Sequence, residues 1–136
     1  MRLTTPFEKA CNSLINILFV VVLSFPFWYT SFTLTIKKLI ILLIFFLCKL
    51  IFIFFNKNRS LGMMLTNTEW KQRYPLNQQI FHALLYTSSF STLLFWIYFP
   101  FDLFLLNMFF LQIPTLYFKK TTFHGYLAGN MVTIKK

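Results

Sequence analysis

Acidic side chains and glycines are scarce in this chain of 136 residues, and their scarcity removes two kinds of chemistry. The three carboxylates lie in separate segments, at Glu8, Glu69 and Asp102. A pair of carboxylates for general acid and base catalysis is therefore missing at short spacing. The glycines are equally scattered, at Gly62, Gly125 and Gly129. No glycine-rich phosphate loop can be built from them, and we do not expect an enzyme.

Cysteine and histidine are also rare, with two residues of each. A zinc site needs roughly three or four Cys, His or acidic ligands at short spacings, whereas His82 and His124 stand far apart in the sequence. Cys11 and Cys48 lie within or beside apolar stretches, where a thiol usually acts as a small buried apolar group. The sequence therefore predicts no metal site and no cofactor.

Charged residues make up only 12% of the chain, hydrophobic residues make up 57%, and the mean hydropathy is +0.65. A soluble domain carries about 25% charged residues, so this chain holds too little polar surface to cover a water-soluble globule. The net charge of +10 would suggest a nucleic-acid partner in a soluble protein, but such a partner needs basic residues clustered on one face. We expect the lipid bilayer as the partner, and no nucleic acid.

Long apolar runs dominate the sequence. A helix needs about 17 to 25 mostly apolar residues to cross the hydrocarbon layer, because its backbone groups cannot remain unpaired in lipid. Four stretches meet or approach this requirement, at 13–34, 39–55, 81–99 and 103–118. The last two belong to one run that is too long for a single crossing. We place its break at Pro100 and Asp102, a helix terminator followed by an N-cap residue.

These runs predict an all-α membrane protein with a single domain over 1–136, whose four transmembrane helices form two helical hairpins. A re-entrant hairpin over 81–118 is the alternative for the second pair. The distribution of lysine and arginine tests the number of crossings, because these residues accumulate in short cytoplasmic loops. Four crossings leave ten basic residues inside and two, Lys37 and Lys38, outside, whereas three crossings give six on each side.

The charge distribution therefore predicts a multi-pass protein of a bacterial plasma membrane with both termini in the cytoplasm. A connector over 56–79 and a tail over 119–136 are then cytoplasmic. Residues 63–70 have an extended, threonine-rich character, and residues 131–134 alternate in the manner of a strand after the turn signal Gly129-Asn130. The two segments can pair as a short cytoplasmic β-ribbon, which needs support from the helix ends because an isolated ribbon is marginal.

Several short motifs resemble those of the RDD family of small bacterial membrane proteins. The segment 123–132, FHGYLAGNMV, is similar to the family's closing His-Asp, Leu-Ala-Gly-Thr and short strand. Ser60-Leu61-Gly62 is similar to a Ser/Thr-Leu-Gly step after the second span, and Pro75-Leu76 to a Pro-Leu pair before the next helix. The resemblance extends along most of the chain and implies a role in transport, which is commonly ascribed to the family.

The residues that give the RDD family its name are all replaced in this chain. Lys9 takes the place of the arginine, Asn16 that of the first aspartate and Gly125 that of the second. Lysine keeps the positive charge but loses the planar fork of a guanidinium, and asparagine keeps the hydrogen bonds but cannot ionise. The two aspartate positions therefore carry no carboxylate in this chain. Proton or cation binding by intramembrane carboxylates cannot use these positions.

Five polar positions are the candidate functional residues, namely Lys9, Asn16, Lys49, Asp102 and His124. Lys49 is the only charge in the second span. Its ammonium either extends towards the headgroups or meets Asn16 in a polar pocket that includes Ser13 and Cys48. Asp102 is either a helix cap or an ion-binding carboxylate. His124 keeps its place in the family-like tail.

We expect a component of solute or ion transport that acts as a homo-oligomer, because four short helices enclose little space. The alternative is an accessory or assembly protein that does not transport. In that case the Ser- and Thr-rich helix faces and the basic connector bind a membrane protein partner or anionic lipid.

Overall fold

A computed structural model of the chain describes residues 1–95 and 103–136. The described chain is mostly helical, with three short strands. In chain order its elements are β1 (Arg2–Leu3), α1 (Pro6–Trp28), α2 (Leu34–Phe55), α3 (Leu61–Leu65), β2 (Thr68–Trp70), α4 (Leu76–Leu94), α5 (Leu103–Leu106), a π-helical segment (Asn107–Gln112), α6 (Ile113–Lys119), α7 (Phe123–Leu127) and β3 (Thr133–Lys135). The predicted break at Pro100 and Asp102 lies outside the described residues.

The start of α1 precedes the predicted 13 because a capping box fixes its first turn. The Thr5 side chain accepts a hydrogen bond from the backbone N–H of Glu8, and the Glu8 carboxylate accepts one from the backbone N–H of Thr5. Pro6 occupies the first helical turn, where its fixed φ favours the helix. α1 ends at Trp28, and Thr33 caps α2, which begins at Leu34. The first two helices therefore both start earlier than the predicted spans 13–34 and 39–55.

Among the described residues, α1 and α2 are the helices long and apolar enough to cross a membrane. Only 22% and 17% of their most apolar windows are buried, and large side chains such as Val22 and Phe55 are 70% and 86% exposed. Helices that present this much apolar surface fit a lipid environment better than the core of a soluble protein. α4 and the helical run that begins at residue 103 do not meet this criterion of length and hydropathy. Helix length and hydropathy therefore support two crossings and do not establish four.

The second helical hairpin consists of α4 and the continuous run from α5 to α6. α4 spans Leu76–Leu94 where the sequence predicted 81–99. The π-helical segment buries Asn107 and Gln112. The Asn107 amide nitrogen donates to the Ser89 hydroxyl of α4 at 2.8 Å, and the Gln112 amide nitrogen donates to Asn107 Oδ1 at 3.2 Å. These bonds join the two arms of the hairpin through polar groups.

The three strands form one antiparallel sheet in the order β1-β3-β2. Ile134 of β3 pairs with Leu3 on one side and with Glu69 on the other. The predicted ribbon between connector and tail is confirmed, and β1 adds a third strand that was not predicted. Residues 63–65 were predicted to be extended but are helical, because the Ser60 side chain accepts a hydrogen bond from the backbone N–H of Met63 and starts α3.

Two apolar clusters hold the elements together. Val20, Ile41, Phe45 and Phe90 form the buried core between α1, α2 and α4. The rings of Phe45 and Phe90 stack with their centroids 4.5 Å apart. The second cluster consists of Tyr74, Ala128 and Met131, with Trp70 packed against it. It joins α7 and the tail to the start of α4. We call the sheet, α3 and α7 together the cap.

Gly62 marks the closest approach of the cap to α1. A Cβ atom at this position would overlap the backbone carbonyl oxygen of Asn12. The backbone N–H of Gly62 also donates to Asn16 Oδ1 at 2.9 Å. Close packing and a hydrogen bond therefore fix α3 on α1 at the same point.

We expect Gly62→Ala to lower the free energy of unfolding by about 1–3 kcal/mol, the usual cost of overpacking. The neighbouring atoms belong to the backbone and cannot rotate away. The measurement is the thermal unfolding midpoint of the detergent-purified protein. Leu65→Ala, at a position of α3 that is 69% exposed, is the control and should shift the midpoint less. An unchanged midpoint for Gly62→Ala would contradict the close contact.

Candidate functional site: a polar cavity beneath the cap

A polar cavity lies where α1, α2 and α4 meet the cap. Its volume is about 70 Å³, enough for several water molecules or one small ion. Its walls combine lysines, histidines, hydroxyls and amides, including Lys9, Ser13, Asn16, Lys49, Tyr86 and His124. Four of the five predicted candidates therefore line one cavity. The fifth, Asp102, lies outside the described residues.

Lys49 of α2 extends over an aromatic ring in the cavity wall. Its Nζ atom lies 4.0 Å from the centre of the Tyr86 ring, a distance that allows a cation–π contact. The Tyr86 hydroxyl donates to Ser13 Oγ at 2.7 Å, which fixes the ring against α1. Asn16 and Ser13 thus share the cavity with Lys49, as in the pocket alternative. Cys48 lines a second, smaller cavity beside Lys49 and Asn16.

Asn16 positions the cap with both ends of its amide. Its Oδ1 atom accepts from the backbone N–H of Gly62 at 2.9 Å, and its Nδ2 atom donates to Ser60 Oγ at 3.1 Å. One helical turn earlier, Asn12 hydrogen-bonds with the hydroxyls of Thr66 and Thr68. α1 therefore presents two buried amides to the cap, and Asn16 is a positioning residue in the wall.

The two histidines meet although they stand far apart in the sequence. The ring centroids of His82 and His124 are 5.0 Å apart, and those of His124 and Tyr86 are 4.7 Å apart. His124 is 7% exposed, and its Nδ1 atom has no hydrogen-bond partner among the described residues. Buried polar atoms are normally paired. Although His124 lines the cavity, its Nδ1 atom is closed off even from that space, so it is an unpaired group that the packing of the ring leaves buried.

Lys9 connects α1 to the end of α6. Its Nζ atom donates to the backbone carbonyl oxygen of Lys120 at 3.0 Å. Lys120 ends α6 in the left-handed conformation, with a φ of 59°. This bond uses one of the three N–H donors of the half-buried Lys9 ammonium.

Both described acidic residues carry ion pairs in or beside the sheet. Glu8 Oε1 lies 2.6 Å from Arg2 Nη2 and 3.2 Å from Lys135 Nζ. Glu69 Oε2 lies 3.0 Å from Lys136 Nζ. Neither carboxylate is in the cavity wall. Within the described part of the chain, the charges that face the cavity are therefore all positive.

The helix that carries His124 is held at its N-terminal end by three hydrogen bonds. The Thr122 hydroxyl caps α7 by accepting from the backbone N–H of Gly125 at 3.3 Å. The Thr121 hydroxyl donates to the backbone carbonyl oxygen of Met131 at 2.6 Å. The Gln112 side-chain oxygen accepts from the backbone N–H of Phe123 at 3.1 Å. These bonds fix the start of α7, and the His124 ring then packs against His82 of α4.

Three aromatic residues of the site were not among the predicted candidates. Tyr86, His82 and Trp70 pack around His124 and Lys49, with the rings of Trp70 and His82 5.2 Å apart. A tyrosine or a histidine in an apolar run resembles ordinary core in the sequence. The one signal that could have identified Tyr86 as a site residue is the charge of Lys49 in an apolar helix, which calls for a partner on a neighbouring helix.

No group of three or more His, Cys, Asp or Glu residues that could hold a metal ion occurs in residues 1–95 and 103–136. Cys11 and Cys48 are free thiols. No family model, curated protein or solved structure matches this chain. The resemblance to the RDD family therefore stays a prediction that rests on the motifs themselves.

Burial, together with the positive charges of Lys49 and Lys9, lowers the pKa of His124 to about 3. In the unfolded chain the same group has its ordinary pKa of 6.5. As the pH falls below 6.5 the unfolded chain binds a proton that the folded chain does not. The contribution of a neutral, buried His124 to stability is therefore complete above that pH and is lost progressively towards pH 3.

We expect His124→Gln to reduce the loss of stability on acidification, because the variant lacks the group that protonates on unfolding. The slope due to one such group is at most about 1.4 kcal/mol per pH unit. The measurement is the thermal unfolding midpoint in detergent at about pH 7.5 and about pH 5. Tyr126→Gln, at an exposed position of the same helix, should keep the wild-type slope. Equal slopes for both variants would contradict the assignment.

Proposed function

We propose that this chain is a polytopic plasma-membrane protein of the RDD-like type and a component of solute or ion transport. Four helices cross the bilayer, and the cap with both termini lies in the cytoplasm. The observation that carries the proposal is the polar cavity, which places Lys49 and His124 of widely separated segments around one space at the end of the membrane helices.

The sheet supports an even number of crossings. β1 and β2 both pair with β3, so the α1–α2 hairpin starts and finishes at the cap. The segment from β2 to β3 also starts and finishes there, so α4 and the run from α5 to α6 form a second hairpin. An arrangement of three crossings would separate strands that are hydrogen-bonded to each other.

The helix lengths support crossing by the second hairpin. At about 1.5 Å per residue, the 19 residues of α4 extend for about 28 Å, close to the hydrocarbon thickness of about 30 Å. Four of its hydroxyls donate to carbonyl oxygens within the helix, namely those of Thr87, Ser88, Ser91 and Thr92. A helix with internally paired hydroxyls is compatible with lipid.

The basic residues support a cytoplasmic cap. Ten of them belong to segments at the cap end of the helices, namely Arg2, Lys9, Lys57, Arg59, Lys71, Arg73, Lys119, Lys120, Lys135 and Lys136. Lys37 and Lys38, at the start of α2, are at the opposite end. This asymmetry is the one that the cytoplasmic leaflet produces during insertion. One cavity of about 70 Å³ is too small to form a transport pathway across the bilayer. We therefore propose that a second copy of the chain contributes the rest of the pathway.

A second candidate function is the accessory role. Lys71 and Arg73 lie between β2 and α4, and both side chains are exposed without an ion pair to any described residue. Two free cations at a membrane surface attract anionic headgroups or an acidic partner, with about 1 kcal/mol of lipid binding for each.

The crossings are tested by labelling with a membrane-impermeant maleimide in intact cells. In a background that carries Cys11→Ala and Cys48→Ala, we expect Tyr29→Cys and Phe95→Cys to react from outside, because both lie at the end of the helices opposite the cap. Lys136→Cys should react only after permeabilisation. Labelling in detergent is the control for all three. Protection of Phe95→Cys alone would leave two crossings and a shallow second hairpin.

The transport role is tested in vesicles that contain the purified protein and are supplied with radiolabelled sodium, rubidium, chloride or phosphate. We expect at least one tracer to enter faster than in empty vesicles. Lys49→Met should lower that rate about tenfold, the effect of losing one charged contact. Lys38→Met is the matched control, since Lys38 lies on the same helix and also over a ring, 5.5 Å from the centre of Phe95.

The accessory role predicts a different outcome of the same experiment. No tracer enters the vesicles in that case. Instead, a membrane protein that co-purifies with the wild type is lost when Lys71→Glu and Arg73→Glu are combined.

A further inference from the structure

The polar cavity has an unbalanced charge. Lys9 and Lys49 line it, and no carboxylate of the described residues does. Glu8 and Glu69 are held in the ion pairs at the sheet. Removing an ammonium from water without a counter-charge is costly. A negative charge in the cavity would offset the cost of burying these two ammonium groups, and the described residues do not supply one.

We infer that the polar cavity binds a small oxyanion with the chemistry of a phosphate group, between Lys49 and Lys9. The inference rests on the proposed function in treating the cavity as a ligand site, and it adds the class of ligand.

Lys49 offers the largest number of free donors. Its Nζ atom faces the Tyr86 ring, and a ring face balances part of the charge but accepts no strong hydrogen bond. Its three N–H groups have no hydrogen-bond acceptor among the described residues. An oxygen atom of an anion in the cavity would satisfy them with short, charge-assisted bonds.

Lys9 approaches the same space from α1. It uses one N–H group on the Lys120 carbonyl and keeps two. The ring of His124 lines the cavity as well, but its unpaired Nδ1 atom is closed off from it. Five N–H donors on two ammonium groups suit an anion with several oxygen atoms better than a single spherical halide.

Size and charge exclude the other ligand classes. A volume of about 70 Å³ holds an ion of a few non-hydrogen atoms but not a nucleotide or a sugar. Among the described residues, a metal cation would meet two ammonium groups and no carboxylate. The cavity is at the cap end of the membrane helices, so the phosphate group can belong either to free inorganic phosphate or to the headgroup of an anionic lipid.

The test is the binding of radiolabelled inorganic phosphate to the full-length protein in lipid nanodiscs at constant chloride concentration. In discs of phosphatidylcholine we expect saturable binding of about one phosphate per chain. Lys49→Met should weaken it by about tenfold or more, and the matched control Lys38→Met should not change it. Lys9→Met provides a further variant if Lys49→Met does not fold.

A second arm replaces half of the lipid with phosphatidylglycerol. Phosphate binding that disappears in these discs identifies the lipid headgroup as the natural source, and equal binding in both discs identifies free phosphate. Either result supports the anion site. The inference is overturned if the wild type shows no saturable binding in phosphatidylcholine discs, or if Lys49→Met and Lys9→Met bind as the wild type does.

The same measurements separate this inference from the proposed function. Saturable phosphate binding without flux of any tracer would end the transport proposal and leave the anion site. Flux of sodium or rubidium without phosphate binding would support the transport proposal and overturn the anion site.

Discussion

The pairing of β3 with both β1 and β2 is the interaction on which the rest of the structure depends. Because β3 lies between the other two strands, the start of α1, the end of the connector and the C-terminal tail are held at the same end of the helices. The hydroxyls of Thr4 and Thr133 extend this pairing to the first turn of α1 through a buried hydrogen bond. Each helical hairpin must then leave the sheet and return to it. The cavity forms because the cap closes over the helix ends.

The hydrogen bonds around the cavity mostly hold elements together. An ordinary hydrogen bond contributes about 1 kcal/mol, whereas a buried polar group without a partner costs about 1–3 kcal/mol. The side-chain amide of Asn16 joins α1 to α3, and the hydroxyl of Thr121 joins the start of α7 to the tail. Among the described residues, the buried side-chain nitrogens without a partner are His124 Nδ1 and those of Asn58 and Arg59 in the turn after α2. Within the same part of the chain, the donors at the cavity that the fold leaves unused include those of Lys49, whose Nζ atom faces the Tyr86 ring.

Hydropathy and turn signals predicted the helical class and the two extended segments, because both depend on residues close together in the sequence. The pairing of connector with tail joins distant residues, such as Glu69 and Ile134, and it was predicted from the placement of both segments on one side of the membrane. The helix starts were less accurate, since the capping box of Thr5 and Glu8 overrides the apolar pattern that begins later. β1 has two residues, too few for any periodicity, and it exists only because β3 offers a free edge. The charge of Lys49 and the family-like motif around His124 identified two walls of the cavity. Tyr86 and His82 complete it through tertiary packing, which no local pattern contains.

Within the described residues, the positive sign of the cavity comes from Lys9 and Lys49 and from a lining without carboxylates. In the predicted resemblance to the RDD family, Asn16 and Gly125 stand at the two aspartate positions. Asn16 lines the cavity, and a carboxylate there would offset one ammonium but could not donate to Ser60 as the amide does. At Gly125 a Cβ atom would lie 2.6 Å from Thr121 Oγ1 and 3.0 Å from the Met131 carbonyl oxygen. The tail therefore packs where a side chain at residue 125 would otherwise lie, and among the described residues no carboxylate reaches the cavity.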